Sequence, residues 1–178
     1  MRRLREAPEP PPASVVIHCR HEADRLHRDD DYQLPHGVAE SRRRGLSHEM
    51  ITREWWNKHR SSFDLYASDF VIDEASRGDA TAAAARLKVL ADIPMLPVIP
   101  PVIELAEGVA TALALPPRAR LDAAHVAIAA VHGMAFLLTW NCRHLANGVL
   151  AAKIERACAE AGFTAPRILT PELLMEIP

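Results

Sequence analysis

Carboxylates and an amide stand at the ends of three apolar stretches of this chain, and side chains of those types can hold a divalent metal ion. After Phe63–Ser68 (FDLYAS) come Asp69, Asp73 and Glu74. Asp122 opens the apolar stretch DAAHVAIAAVHG, with His125 one helical turn further on. After Ala135–Trp140 (AFLLTW) come Asn141, Cys142, Arg143 and His144. Acidic residues that reach one sheet edge from separate segments can bind Mg²⁺ or Mn²⁺, hard cations that prefer oxygen ligands. Such an ion can activate water and stabilise charge on a phosphate being displaced.

Each of these residues also has a plainer reading. Asp122 can serve as a helix cap, since the helix dipole favours a carboxylate at that end. Asn141 suits a turn that ends a strand, or a metal bound through its amide oxygen. His125 reads as a core histidine with its polar atoms satisfied. Cys142 and His144 give at most two zinc ligands and lack a second pair at finger spacing. Trp55 and Trp56 can stack on bases, although packing of an amphipathic helix explains them better. Arg42, Arg43 and Arg44 read as a solvated basic stretch.

The elements that would position these groups alternate in type. Met50, Ile51, Trp55 and Trp56 recur at helical spacing among charged residues, which predicts an amphipathic helix. Phe63–Ser68 reads as a strand. Ser68 or Asp69 can cap the helix that follows, and Gly78 closes it. Asp79 caps ATAAAARLKVL, whose alanines favour helix. Met95–Ile99 reads as a strand, and Pro100 and Pro101 suit the first turn of a helix reaching Leu113. Arg120–His132 is apolar nearly all round and predicts a buried helix. Ala135–Trp140 is a continuous apolar strand, followed by a helix from about Gly148 to Ala161 and a short strand, Arg167–Thr170. This alternation predicts an α/β fold, a parallel sheet of about four to five strands flanked by helices. In such sheets the functional crevice lies at the carboxyl ends of the strands.

Composition sets bounds on this reading. The 178 residues suffice for one domain and an irregular extension, and the formal net charge of -2 argues against a broad basic surface for nucleic acid. A helix-turn-helix DNA binder would need a basic recognition helix that is absent here. Cys19, Cys142 and Cys158 are odd in number and scattered, so no disulfide framework is implied and a reducing cytoplasm fits. Arg2 and Arg3 open the chain as a signal peptide would, but prolines follow, and Val15–Ile17 is too short for its apolar core. No segment approaches a membrane span. Residues 1–60 hold six of the nine histidines and twelve Lys/Arg against ten Asp/Glu, with few well-spaced apolar positions. Such a segment buries too little surface to offset its ordering entropy. Residues 1–48 are therefore expected to be a poorly ordered extension, and 49–178 the domain.

The run DLYASDFVIDEASRGDATAAAARLKVL, then LPPRARLDAAHVAIAAVHGMAFLLTWNCRHLAN, then GFTAPRILTPELL, resembles the PIN domains of VapC-like toxins. It is most similar to a subgroup with the TWN-C-R-H-x-A-N signature, and the likeness covers roughly residues 50–178. The resemblance implies a PIN-like sheet whose acidic cluster binds Mg²⁺ or Mn²⁺ and hydrolyses RNA, as in a type II toxin–antitoxin system. It further implies a cognate antitoxin partner and a homodimer. Carried over by position, Glu74 matches the acid after the early strand, Asp122 the central acid, and Asn141 the acid-or-amide position after the TWN strand. His144 and Asn147 belong to the signature without a catalytic role.

The sequence departs from that family at its start. PIN domains usually begin with a strand ending in a metal-binding Asp, and nothing before Trp55 has that form. Ala13–Ile17 is apolar enough for a strand but ends in His18 and Cys19, and Asp24 and Asp29–Asp31 follow no strand. A start read in an altered frame would produce this. The expectation is a sheet without its first strand, a weakened metal site, and an impaired ribonuclease or a non-catalytic PIN-fold remnant that acts as a binding module.

Overall fold

The computed structural model describes residues 13–17, 35–141 and 145–177, with side chains described for 15–17, 47–141 and 145–177. His18, Cys19, Asp24, Asp29–Asp31, Cys142, Arg143 and His144 lie outside the described residues, as do the side chains of Arg42–Arg44.

Five strands form one all-parallel sheet: β1 (Ala13–Ile17), β2 (Phe63–Ser68), β3 (Met95–Leu96), β4 (Phe136–Leu138) and β5 (Arg167–Leu169). Their spatial order is β3-β2-β1-β4-β5. The helices are α1 (Pro35–Lys58), α2 (Asp69–Ala75), α3 (Ala80–Leu90), α4 (Pro100–Ala112), α5 (Arg120–Val131), α6 (Gly148–Glu160) and α7 (Pro171–Met175). The expected α/β class with a parallel sheet flanked by helices is what the chain adopts.

The N-terminal third differs from the sequence reading. β1 lies at the centre of the sheet, with Val15 opposite Leu65 on one side and Phe136 on the other. The sheet therefore has its first strand, and the domain draws on residues that the sequence sets apart as an extension. Ala13–Ile17 is apolar enough for a strand on its own, and pairing with β2 and β4 places it at the centre of the sheet. Likewise α1 begins at Pro35, well before Met50, where the helical spacing of apolar residues starts. Met50, counted on that helix's apolar face, points outward at 72% exposure, while Trp55 is buried.

Side chains alternate across the central strands, as the period of two requires. Val16 and Leu137 face α4, α5 and α6 through Leu105, Val109, Val126 and Ile154. Val15, Phe136 and Leu138 face the opposite side, where Trp55 of α1 and Leu174 of α7 cover them. Full burial of each such side chain stabilises by roughly 1.5–3 kcal/mol. α2 and α3 make a smaller cluster of Val71, Ala75 and Leu90 beside β2.

Local signals hold well. Gly78 takes φ +87 after α2, a conformation that suits glycine. The Asp79 carboxylate accepts from the Ala82 N–H at 2.9 Å and caps α3. Pro100 and Pro101 occupy the first turn of α4. Residues Asp122 to Ala130 of α5 are all buried, as its apolar sequence predicts. α7 is an element the sequence reading lacks, capped by the Thr170 hydroxyl on the Leu173 N–H.

Candidate functional site

The chain runs outward from β1 to β2 and β3, then returns to the other side of β1 for β4 and β5. The strand order thus reverses at β1, and in open parallel sheets the crevice beyond the carboxyl ends at such a switch point is where ligands bind. β2 delivers Ser68 to this edge, and α2 starts there. β4 delivers Thr139, Trp140 and Asn141. α5 leads into β4 from the opposite direction, so its first turn, with Asp122, lies at the same edge.

Glu74 and His125 meet directly. The Glu74 Oε2 lies 3.3 Å from the His125 Nε2, with the imidazole fully enclosed and the carboxylate side chain only 9% exposed. The ring of Phe70 stands edge-on to the imidazole, with centroids 6.0 Å apart. His125 is one turn beyond Asp122 on α5, so α2 and α5 bring two acids from distant parts of the chain to neighbouring turns.

Asp122 has 0% exposure. It does not cap α5: the cap position is Ala119, with no side-chain cap bond, and Asp122 stands inside the first turn. The helix dipole favours its charge there. A carboxylate taken wholly out of water is costly unless it has partners, which makes a plain solubilising role untenable.

Asn141 is buried and fulfils the turn role through its backbone. Its N–H donates to Thr139 Oγ1 at 2.9 Å. Its carbonyl accepts from the N–H groups of Leu145 and Ala146 at 3.0 and 2.9 Å. With the main chain so committed, its side-chain amide is held inside the protein at the end of β4.

Ser68, fully buried at the end of β2, has no hydrogen-bond partner for its Oγ among the described residues. A buried hydroxyl in that state is uncommon. Ser68 ends β2, Asn141 follows β4 and Asp122 opens α5, so three oxygen-bearing side chains stand at the carboxyl edge of the sheet, with Glu74 on α2 beside them. That chemistry fits a hard divalent cation. Only two of the donors are carboxylates, and among the described residues no three of His, Cys, Asp and Glu gather into a metal-holding group. The set therefore carries little charge for a metal of this class.

Sequence reasoning treats Ser68 only as a helix cap, and the helix α2 takes no side-chain cap bond from it. Its burial depends on neighbours that no local pattern reveals. Asn147 of the TWN signature has a structural task, its side-chain oxygen accepting from the Val149 N–H at 3.0 Å to cap α6. Trp56 packs beside the core, with Arg60 over its ring, and Trp55 lies inside the core; neither is placed to receive a base.

The edge has one further feature that the sequence gives no sign of. The ring of His48, from α1, stacks on Trp140 with centroids 4.0 Å apart and planes 9° from parallel. The Trp140 Nε1–H donates to Thr52 Oγ1 at 2.8 Å.

No helix among the described residues is long and apolar enough to cross a membrane. Compared with known proteins, the chain is matched by no protein-family model and by no curated protein.

Proposed function

We propose that this chain is a metal-dependent endoribonuclease of the VapC-like PIN type, the toxin of a type II toxin–antitoxin pair, with a metal site weakened by its low carboxylate count. The observation that carries this reading is the approach of Glu74 to α5, one turn from buried Asp122, at the carboxyl edge where the strand order reverses. The order of motifs that resembles PIN domains supports it from the sequence side.

In this reading Glu74, Asp122 and the Asn141 side-chain oxygen hold Mg²⁺ or Mn²⁺. When bound, the ion supplies an activated water and offsets charge on the scissile phosphodiester. Glu74 and Asp122 provide the negative charge that retains the ion. His125 fixes the Glu74 carboxylate from behind, and Asn141, anchored through its backbone, presents a neutral oxygen from β4. The enclosure of these groups by α2 and α5 limits water around them and strengthens their electrostatic effect. An antitoxin that covers this edge, a homodimer and a cytoplasmic setting belong to the same proposal.

One observation favours a second reading, a non-catalytic PIN-fold remnant acting as a binding module. Glu74 is already engaged by His125, and two carboxylates are few for a hard cation. Calorimetry separates the two. The ribonuclease binds Mn²⁺ and cleaves RNA in its presence, and both properties disappear in Glu74→Ala and Asp122→Ala. A folded wild-type protein with no Mn²⁺ heat and no cleavage establishes the remnant instead.

A further inference from the structure

We propose that the Ser68 hydroxyl is a neutral oxygen ligand of the divalent-ion site, beside the carboxylates of Glu74 and Asp122. This inference rests on the ribonuclease reading and deepens it by naming a residue of the ion's shell that neither motif nor charge singles out.

Ser68 presents an oxygen that no folding role explains. Its side chain is wholly buried, and its Oγ has no hydrogen-bond partner among the described residues. The ordinary task of a serine before a helix is to cap it. Its backbone has the extended conformation of a cap residue (φ -146, ψ 166), yet α2 takes no side-chain bond from it. A buried hydroxyl without a partner is a destabilising feature that native folds seldom retain. Alanine at this position would remove it, so the hydroxyl is present for something other than the fold.

Strand parity directs the side chain. Tyr66, two residues earlier on β2, packs against the main cluster, and Leu96, the register partner of Ser68 on β3, belongs to that cluster. Side chains along a strand alternate between faces, and directly opposed residues share one. Ser68 therefore stands on the face covered by α5, at the last position of β2. The first turn of α5 carries Asp122 to this same carboxyl edge. Two positions beyond Ser68, Phe70 stands edge-on to His125 with centroids 6.0 Å apart, and the imidazole lies 3.3 Å from the Glu74 carboxylate. α2 thus starts at Ser68 and brings Glu74 against α5.

Chemistry chooses the ligand. A hydroxyl oxygen suits Mg²⁺ or Mn²⁺, which prefer oxygen donors. It adds a ligand to an enclosed region without adding a further charge to be desolvated. An oxygen with 0% exposure is out of reach of a phosphate still joined to its RNA chain, so the ion itself is the partner of matching size.

The test combines Mn²⁺ calorimetry with thermal melting of Ser68→Ala and Ser68→Cys in the full chain. Ser68→Ala is expected to bind Mn²⁺ about tenfold more weakly than wild type, the scale on which a metal site responds to loss of a supporting group. In EDTA it should melt no lower than wild type, because no hydrogen bond is lost. The rise in melting temperature on adding Mn²⁺ should shrink in step. Ser68→Cys replaces a hard donor by a soft one, so it should lose Mn²⁺ affinity and gain Cd²⁺ affinity over wild type, an exchange that a packing role would not produce. The proposal is overturned if Ser68→Ala binds Mn²⁺ as wild type does. It is also overturned if the Mn²⁺ loss comes with a lower melting temperature in EDTA and Ser68→Cys gains no Cd²⁺ affinity, as for a hydroxyl tied into the fold through an internal water. Unchanged Mn²⁺ binding in Ser68→Ala, with loss in Asp122→Ala, removes Ser68 and leaves the ribonuclease reading. A wild type without Mn²⁺ heat removes both.

Discussion

His125 and Glu74, separated by fifty-one positions in the chain, face each other at 3.3 Å in a region almost closed to water. The contact brings α2 against α5, one helical turn from Asp122. If the pair interacts energetically, a double-mutant cycle of Glu74→Gln and His125→Ala gives a coupling of about 1–2 kcal/mol by urea denaturation. A coupling near zero would reduce the contact to mere proximity.

Asp122 offers a sharper division between structure and function. Asp122→Asn keeps the shape of the side chain and removes its buried charge. Exchange of a buried carboxylate for its isosteric amide removes the desolvation cost of the charge together with what its partners return, so stability is expected to change by no more than about 1 kcal/mol in either direction. In the proposed ribonuclease, Mn²⁺ binding should nevertheless be lost. Strong destabilisation with an intact Mn²⁺ isotherm would make Asp122 a structural residue.

The central position of β1 predicts that the N-terminal segment is needed for folding. A chain beginning at Pro35 lacks Val15, Val16 and Ile17, all buried, and leaves β2 and β4 without their common neighbour. It should lose its cooperative thermal transition. Val16→Asp, a single unpaired charge in the main core, should cost about 4 kcal/mol or more in the full chain. A truncated protein with sharp, native-like melting would contradict the strand assignment.

Sequence patterns reveal most of the elements after Phe63, because those elements carry their own signals. Asp79 caps within its own helix, the prolines of α4 suit a first turn, and α5 is apolar on every side. β1 and the early half of α1 carry no such signals. Ala13–Ile17 is short and followed by polar residues, and it becomes a central strand only because Leu65 and Phe136 flank it. The site divides in the same way. Acids beyond strand ends are visible in one dimension, but the His125–Glu74 contact and the burial of Ser68 depend on helix packing. The Thr52–Trp140 bond spans 88 positions, beyond the reach of any periodicity.

That bond yields a prediction independent of RNA. Thr52→Val preserves side-chain shape but removes the hydroxyl that accepts from the Trp140 indole N–H and donates to the His48 carbonyl. Loss of a partly buried hydrogen bond of this kind costs about 1–2 kcal/mol. Urea denaturation should record that loss, and near-ultraviolet circular dichroism should change as Trp140 loosens. A variant identical to wild type in both would show that the clamp does not hold the ring.

Cys158 tests the packing of α6 against the core without touching the site. Its thiol is fully buried in the main cluster, and burial pushes its pKa up to about 11 from an ordinary 9.0. The folded protein therefore resists forming the thiolate, while the unfolded chain ionises near the ordinary value. Below about pH 9 both states keep the proton and stability is unaffected; between about 9 and 11 the unfolded state loses it first, so stability falls as pH rises. Cys158→Ala should remove that part of the alkaline decline. In the native protein at neutral pH, Cys158 should resist a thiol reagent until denaturant is added, since the thiolate is the reactive form. Rapid labelling of Cys158 without denaturant would place α6 off the core.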